Sequence, residues 1–281
     1  MANRAASESS DTPVARRQEK IISGRCQPIL LPTSVEIREF ATHKCQAEGF
    51  STGTATFPPA GELANHTHTL SEAITILSGT ALVCVEERAY RLSRLDCIHI
   101  PHNTPHRVFN EAQDTLIALW SFGSAIPSRQ FVDDDTPVSK EYVPDPKVKY
   151  PEQVIYFDAT TQYELAPGAI FCDLFAKRFG SVGICGGYGR FQPGASLPCH
   201  THEFDESITI VEGEAVCLVQ GRVYNLANLD TAFVPKGKAH RFINKSEQHM
   251  AMVWVYAGDE PERTVIDDGY CEGTLAGPAW S

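Results

Sequence analysis

Six of the ten histidines and two glutamates fall into two sets with the same internal spacing. His66, His68 and Glu72 recur as His200, His202 and Glu206, and a further histidine follows each set, His106 or His240. One offset relates them, because 200 − 66, 202 − 68, 206 − 72 and 240 − 106 are all 134. Alternate side chains of a strand share a face, so His66 and His68 point the same way, as do His200 and His202. Glu72 and Glu206 keep that parity, and a later strand brings His106 or His240 across to close each set. Three neutral imidazoles and one carboxylate suit a borderline divalent ion such as Fe, Mn, Co, Ni, Cu or Zn. Calcium and magnesium, which prefer oxygen shells, do not fit. A lone strand histidine is ordinarily a hydrogen-bonded core or surface residue. His43, His99, His102 and His249 have no histidine partner at the 134 offset and are read that way.

The elements that position these residues repeat with them. The same offset relates Gly79 to Gly213, Arg88 to Arg222, Tyr90 to Tyr224, Asp96 to Asp230, Pro101 to Pro235, Asn110 to Asn244 and Trp120 to Trp254. A duplicated domain is the reading. Within each copy, short runs such as 73–77, 81–85, 207–211 and 252–256 are rich in β-branched and aromatic residues and end at Gly, Pro or Asn turns. No long segment shows helical periodicity, so the expectation is all-β. Residues 1–20 are polar and read as a disordered tail, 21–131 as the first domain and 132–152, acidic and proline-punctuated, as a linker. Residues 153–281 form the second domain with a tail, from Gly258 onward, lying over it.

Bulk properties exclude several classes. A formal net charge of -11 with no Lys/Arg run opposes nucleic-acid binding. Residues 1–20 contain no apolar stretch that could form a signal-peptide core and no later segment approaches a membrane span, so a cytoplasmic protein is expected, with no membrane partner. Nine cysteines without paired short spacings are read as buried packing residues, Cys199 included, rather than as a disulfide framework or a zinc site.

With these residues in view, the chain resembles the cupin superfamily. The first copy runs Gly61, His66, His68, Glu72, Gly79, then Pro101, Asn103, His106 and Asn110. The second runs Gly194, His200, His202, Glu206, Gly213, then Pro235, Gly237, His240 and Asn244. The second matches the family's paired motifs throughout. The first departs at Asn103, where the family usually has Gly, and has one residue fewer between Gly61 and His66; Asn tolerates the left-handed turn better than most residues. The resemblance covers about residues 50–123 and 184–257. It implies a bicupin of two jelly-roll (double-stranded β-helix) barrels. The metal ligands it implies are His66, His68, Glu72 and His106 in one and His200, His202, Glu206 and His240 in the other. It also implies homodimerisation through sheet edges.

Such a centre carries a charge of about +1 and leaves roughly two positions for a small anionic or enolic substrate. The resemblance implies a metal-dependent enzyme, first a dioxygenase-type oxidoreductase similar to the quercetinase-like bicupins. The three-residue spacing between His68 and Glu72 is closer to the oxalate-decarboxylase-like bicupins, which are usually longer. Non-redox isomerase, lyase or aminohydrolase chemistry is the alternative, and a storage-type binding role a third. If one site alone works, the better-matched second copy is expected to be it. Asn110 and Asn244 either orient a ligand or tie strand ends. Glu203 and Asp205 are expected to face solvent. Arg190, Arg222 and Arg241 are read as surface ion-pair residues ahead of substrate ligands, and Phe109, Trp120 and Trp254 as core.

Overall fold

β-branched and aromatic runs too short for helices, each closed by a turn residue, fold into antiparallel strands. The computed structural model describes residues 17–132, 145, 147–272 and 275–276. Its helical segments among these residues are 3-10 turns of three residues. No helix among them is long and apolar enough to cross a membrane.

Each copy is a pair of sheets closed around an apolar interior. In the first, a five-stranded sheet runs in the order Gln130–Phe131, Glu62–Thr67, His106–Phe109, Ala81–Val85, Arg88–Leu92. Facing it is a seven-stranded sheet built on Cys97–Ile100, Glu72–Ser78, Leu116–Phe122 and Ser51–Phe57. The second copy repeats this with a sheet holding His200–Thr201 and His240–Ile243 and another holding Glu206–Glu212 and Met250–Tyr256. This is the all-β bicupin architecture expected. The turn glycines are required: Gly213 has φ +68°, and a Cβ there would lie 2.4 Å from the His249 carbonyl oxygen. Asn103 takes φ +57° where Gly237 takes +75°, so Asn serves the same turn in the first copy.

Along Glu72–Ser78 nearly every side chain is buried, although strict alternation would leave half in water. Ile74 and Ile76 fill the first barrel, while Ala73 and Leu77 join Leu119, Phe175, Phe233 and Val255 in a layer between the two barrels. Burial on both faces explains why these strands read as continuous apolar runs. The barrels also exchange strands. Lys20–Ile22 pairs with Thr231–Val234 of the second barrel, and Gln153–Ile155 pairs with Cys97–Ile100 of the first. Residues 1–16 of the expected tail, and 133–144 and 146 of the expected linker, lie outside the described residues. The ends of those segments depart from the expectation. Glu19 is buried and bonded to Lys238, Arg222 and Tyr224, and Glu152 is buried and bonded to Arg88 and Tyr90. A carboxylate paired with a cation and a phenol can be buried without the full cost of an isolated charge, which fastens each connecting segment to the neighbouring barrel.

His99 sits on the barrel-junction side of its strand, 3% exposed, with no hydrogen-bond partner at either ring nitrogen. Phe233 holds the matching position in the second copy. Burial pushes the His99 pKa down to about 4, against a smaller opposing pull from Glu72. The unfolded chain therefore takes up a proton near pH 6.5 that the native state refuses. Stability is full above that pH and falls as the pH drops toward about 4, by about 1.4 kcal/mol per unit and roughly 3 kcal/mol across the window. Urea melts from pH 7 to 4.5 should show this acid-side loss, and His99→Phe should reduce its slope by about 1.4 kcal/mol per pH unit, the buried His66 and His200 supplying the rest; equal slopes in both proteins would refute the assignment.

Candidate metal centres

The two quartets that the sequence paired are brought together in space. His66, His68, Glu72 and His106 converge, as do His200, His202, Glu206 and His240, with one ligand atom from each residue lying within 4.8 Å of the others. All eight are buried. The geometry follows from register: His66 stands opposite His106 across two antiparallel strands, and His200 opposite His240. Glu72 and Glu206 open strands of the facing sheets and reach inward.

Each imidazole is held by its Nδ1–H. His66 donates to the Ala64 carbonyl at 2.7 Å and His106 to Thr104 at 2.9 Å. His200 donates to Pro198 at 2.8 Å and His240 to Lys238 at 2.8 Å. The remaining two bonds come from farther along the chain, His68 to the Ser128 carbonyl and His202 to the Glu262 carbonyl at 2.6 Å. Ser128 and Glu262 are again 134 apart. With Nδ1 protonated and occupied, every Nε2 turns its lone pair inward, the tautomer a metal-binding histidine requires. His66, His68 and His202 have buried Nε2 atoms with no hydrogen-bond partner, those of His68 and His202 lying 3.3 and 3.4 Å from Glu72 and Glu206, whereas His106 and His240 reach the same carboxylates at 2.9 and 2.7 Å. Orphaned inward nitrogens around an ionised carboxylate fit a divalent transition metal, one site per barrel.

The electrostatics agree. Burial, then the neighbouring His106, pushes the His66 pKa down to about 2, and burial with His240 holds His200 well below its usual value. Both rings are neutral, as ligation demands. Burial alone would raise Glu72 and Glu206, but positive charge at the centre, on His68 first for Glu72 and His202 first for Glu206 when those rings are protonated, outweighs it and pulls both carboxyls below their ordinary range; with the rings neutral, a bound cation takes that part.

The shells beyond differ between the copies. Phe122 packs on His68 with ring centroids 4.4 Å apart, and at the matching place Tyr256 packs on His202 at 4.5 Å. Phe204 stacks on His202 at 5.3 Å. None of these was singled out from sequence, although the aromatic at 122 and 256 recurs at the common offset. Asn110 and Asn244 do not reach the centres. The Asn244 amide donates to the carbonyls of Phe191, Gln192 and Gln248, and Asn110 makes the same three bonds to Phe57, Pro58 and Asp114.

Asp205 corrects an expectation. It is 2% exposed and paired with Arg17 at 2.5 and 2.9 Å, because the amino-terminal segment covers it; Glu203 is exposed. Arg222 and Arg241 are in ion pairs, with Glu19 and Asp268. Cys199 also departs from the packing role, since it forms a disulfide with Cys271, Cα–Cα 6.0 Å. Thr264–Val265 pairs with His200–Thr201, and the Cys199 N–H donates to the Asp268 carboxylate, so the two cysteines meet although 72 residues separate them. The other seven cysteines form no disulfide.

Comparison with known proteins follows the same division. The model of the cupin domain matches twice, over residues 53–122 and 187–256. No curated protein matches the sequence. Among solved structures, a mutant of the Bacillus subtilis oxalate decarboxylase superposes with a TM-score of 0.72 at 15% identity, covering 88% of this chain and 79% of that one. Another mutant of that enzyme reaches 0.73 at 16% identity with the same coverage. A structure used to study its Mn(II) centres gives 0.69 at 17% identity, covering 83% and 75%. At such identities the likeness speaks to fold. Two matched domains, two jelly-roll barrels and a ligand quartet in each lead to one assignment: the chain belongs to the cupin superfamily, as a bicupin.

Proposed function

We propose that this bicupin is a metal-dependent enzyme that cleaves a carbon–carbon bond in a small anionic or enolic substrate. The ion is held by His66, His68, Glu72 and His106 in the first barrel and by His200, His202, Glu206 and His240 in the second. The observation that carries the reading is the set of six Nδ1–carbonyl bonds, which commits every imidazole to an inward Nε2 lone pair beside an ionised carboxylate. A divalent ion in such a set supplies a Lewis acid for two substrate oxygens and, if redox-active, one-electron chemistry. The protein's part is to keep protons on the outer nitrogens, hold the glutamates ionised and exclude water with Phe122, Phe204 and Tyr256.

The oxygen-using form of this chemistry is that of a dioxygenase. The lyase form, releasing carbon dioxide without net oxygen uptake, has specific support in the similarity to oxalate decarboxylase and in the three-residue spacing before each glutamate. Oxygen uptake and carbon dioxide release, measured on protein reconstituted with Fe or Mn against a panel of small oxo-, hydroxy- and enolic acids, separate the two. Stoichiometric oxygen uptake supports the dioxygenase. Carbon dioxide without it supports the lyase. Neither oxygen uptake nor carbon dioxide release from fully loaded protein across the panel would sink the carbon–carbon cleavage reading.

A further inference from the structure

Behind His68 the first barrel contains a cavity of about 100 Å3 lined by Ile37, Trp120, Phe122 and Arg129, with Ile29 and Leu31 at its rim. Two of its walls end in hydrogen-bond donors that nothing satisfies. The Nε of Arg129 and the indole Nε1 of Trp120 are both buried without a partner. Glu39 also lines the cavity, but its carboxylate is engaged by Lys44. A guanidinium nitrogen and an indole N–H left dry cost free energy that an acceptor between them would recover.

The cavity belongs to the metal centre by position. Phe122, in its wall, packs on His68, and Arg129 follows Ser128, whose carbonyl accepts the His68 Nδ1–H. Glu72 and His66 lie within the electrostatic reach of Arg129. The space is small and partly apolar, and it admits a carboxylate group with a few further atoms.

We propose that Arg129 and Trp120 form a carboxylate-binding subsite of the first centre, so that this barrel takes a short carboxylic acid whose charged end is held by the guanidinium and the indole N–H. The proposal rests on the reading of the first quartet as a working metal site, and it adds the residues that select the substrate. The fork of a guanidinium matches a carboxylate, whereas a neutral enol gains little from it. Arginine recurs at 263 in the second copy, but there it lies over the Phe171 ring at 5.9 Å, and Tyr256 replaces Phe122. The indole Nε1 of Trp254, the counterpart of Trp120, is likewise buried without a partner, so what sets the first barrel apart is the unpartnered guanidinium nitrogen of Arg129 beside that cavity.

The test is titration calorimetry of oxalate into protein loaded with Mn, with metal content and melting temperature measured on every sample. Arg129→Met keeps the aliphatic stem and should retain two equivalents of metal while weakening the oxalate site of the first barrel about 30-fold; Arg129→Lys should recover part of this. Trp120→Phe removes one neutral donor and should weaken it about fivefold. Unchanged oxalate binding in Arg129→Met with both metals in place overturns the subsite, as does wild-type protein that holds both metals and binds no oxalate. Failure of wild-type protein to hold metal in the first barrel strikes instead at the metal-site reading beneath it.

Discussion

Replacing His68 with alanine removes one of two equivalents of bound metal, and His202→Ala removes the other. Each variant deletes one inward Nε2 from a quartet whose ligand atoms sit within 4.8 Å of one another, leaving two imidazoles and a carboxylate. Loss of metal from the working site should lower turnover about 1,000-fold or more, because the ion supplies charge stabilisation worth several kcal/mol that no protein group replaces. The same change appears in stability. Ligand at about 1,000 times its dissociation constant adds about 4 kcal/mol to the native state. Chelation of both ions should therefore lower the melting temperature by roughly 10 °C or more for a domain of this size. Plasma mass spectrometry and calorimetry on wild type, both variants and chelated protein check this. Two equivalents retained in both variants would refute the ligand assignment.

Asn244→Ala should destabilise the second barrel by about 3 kcal/mol while leaving metal content at two equivalents and turnover within about threefold of wild type. The side chain is 0% exposed; its amide serves three carbonyls, and its Oδ1 accepts from the Ser246 N–H and hydroxyl at 3.0 and 2.8 Å. Alanine strands those carbonyls and that amide in a site closed to water, which is costlier than never having made the bonds. The matching bonds of Asn110 in the first copy make the role a structural one, tying the end of each histidine-bearing strand to the opposite sheet. Urea denaturation with parallel metal analysis distinguishes this from a role in catalysis: a large fall in turnover with unchanged stability would place Asn244 in the chemistry after all.

Both barrels and both quartets were legible before any coordinates, and the reason is repetition. A strand alternates its faces whatever surrounds it, so His66 with His68 and His200 with His202 were bound to share a direction. An offset of 134 that also carries Glu72 to Glu206 and His106 to His240 marks the four as one unit. The left-handed turn at Asn103 followed likewise from local backbone preference.

Tertiary structure alone decided what depends on residues far apart in the chain. Asp205 reads as exposed from its parity with His202, yet it is buried because Arg17, 188 residues away, closes over it. Glu152 looks like linker until the strand Gln153–Ile155 docks on the first barrel, and Cys199 looks like packing until the carboxy-terminal segment brings up Cys271. Arg129 drew no notice in a sequence with 24 basic residues; its meaning comes from an Nε closed off from water in the lining of a cavity that Trp120, with its own unsatisfied indole, also lines. Local sequence dictates which way a side chain points. Whether it then meets water, a counter-ion or an empty cavity is settled by what the rest of the chain lays over it.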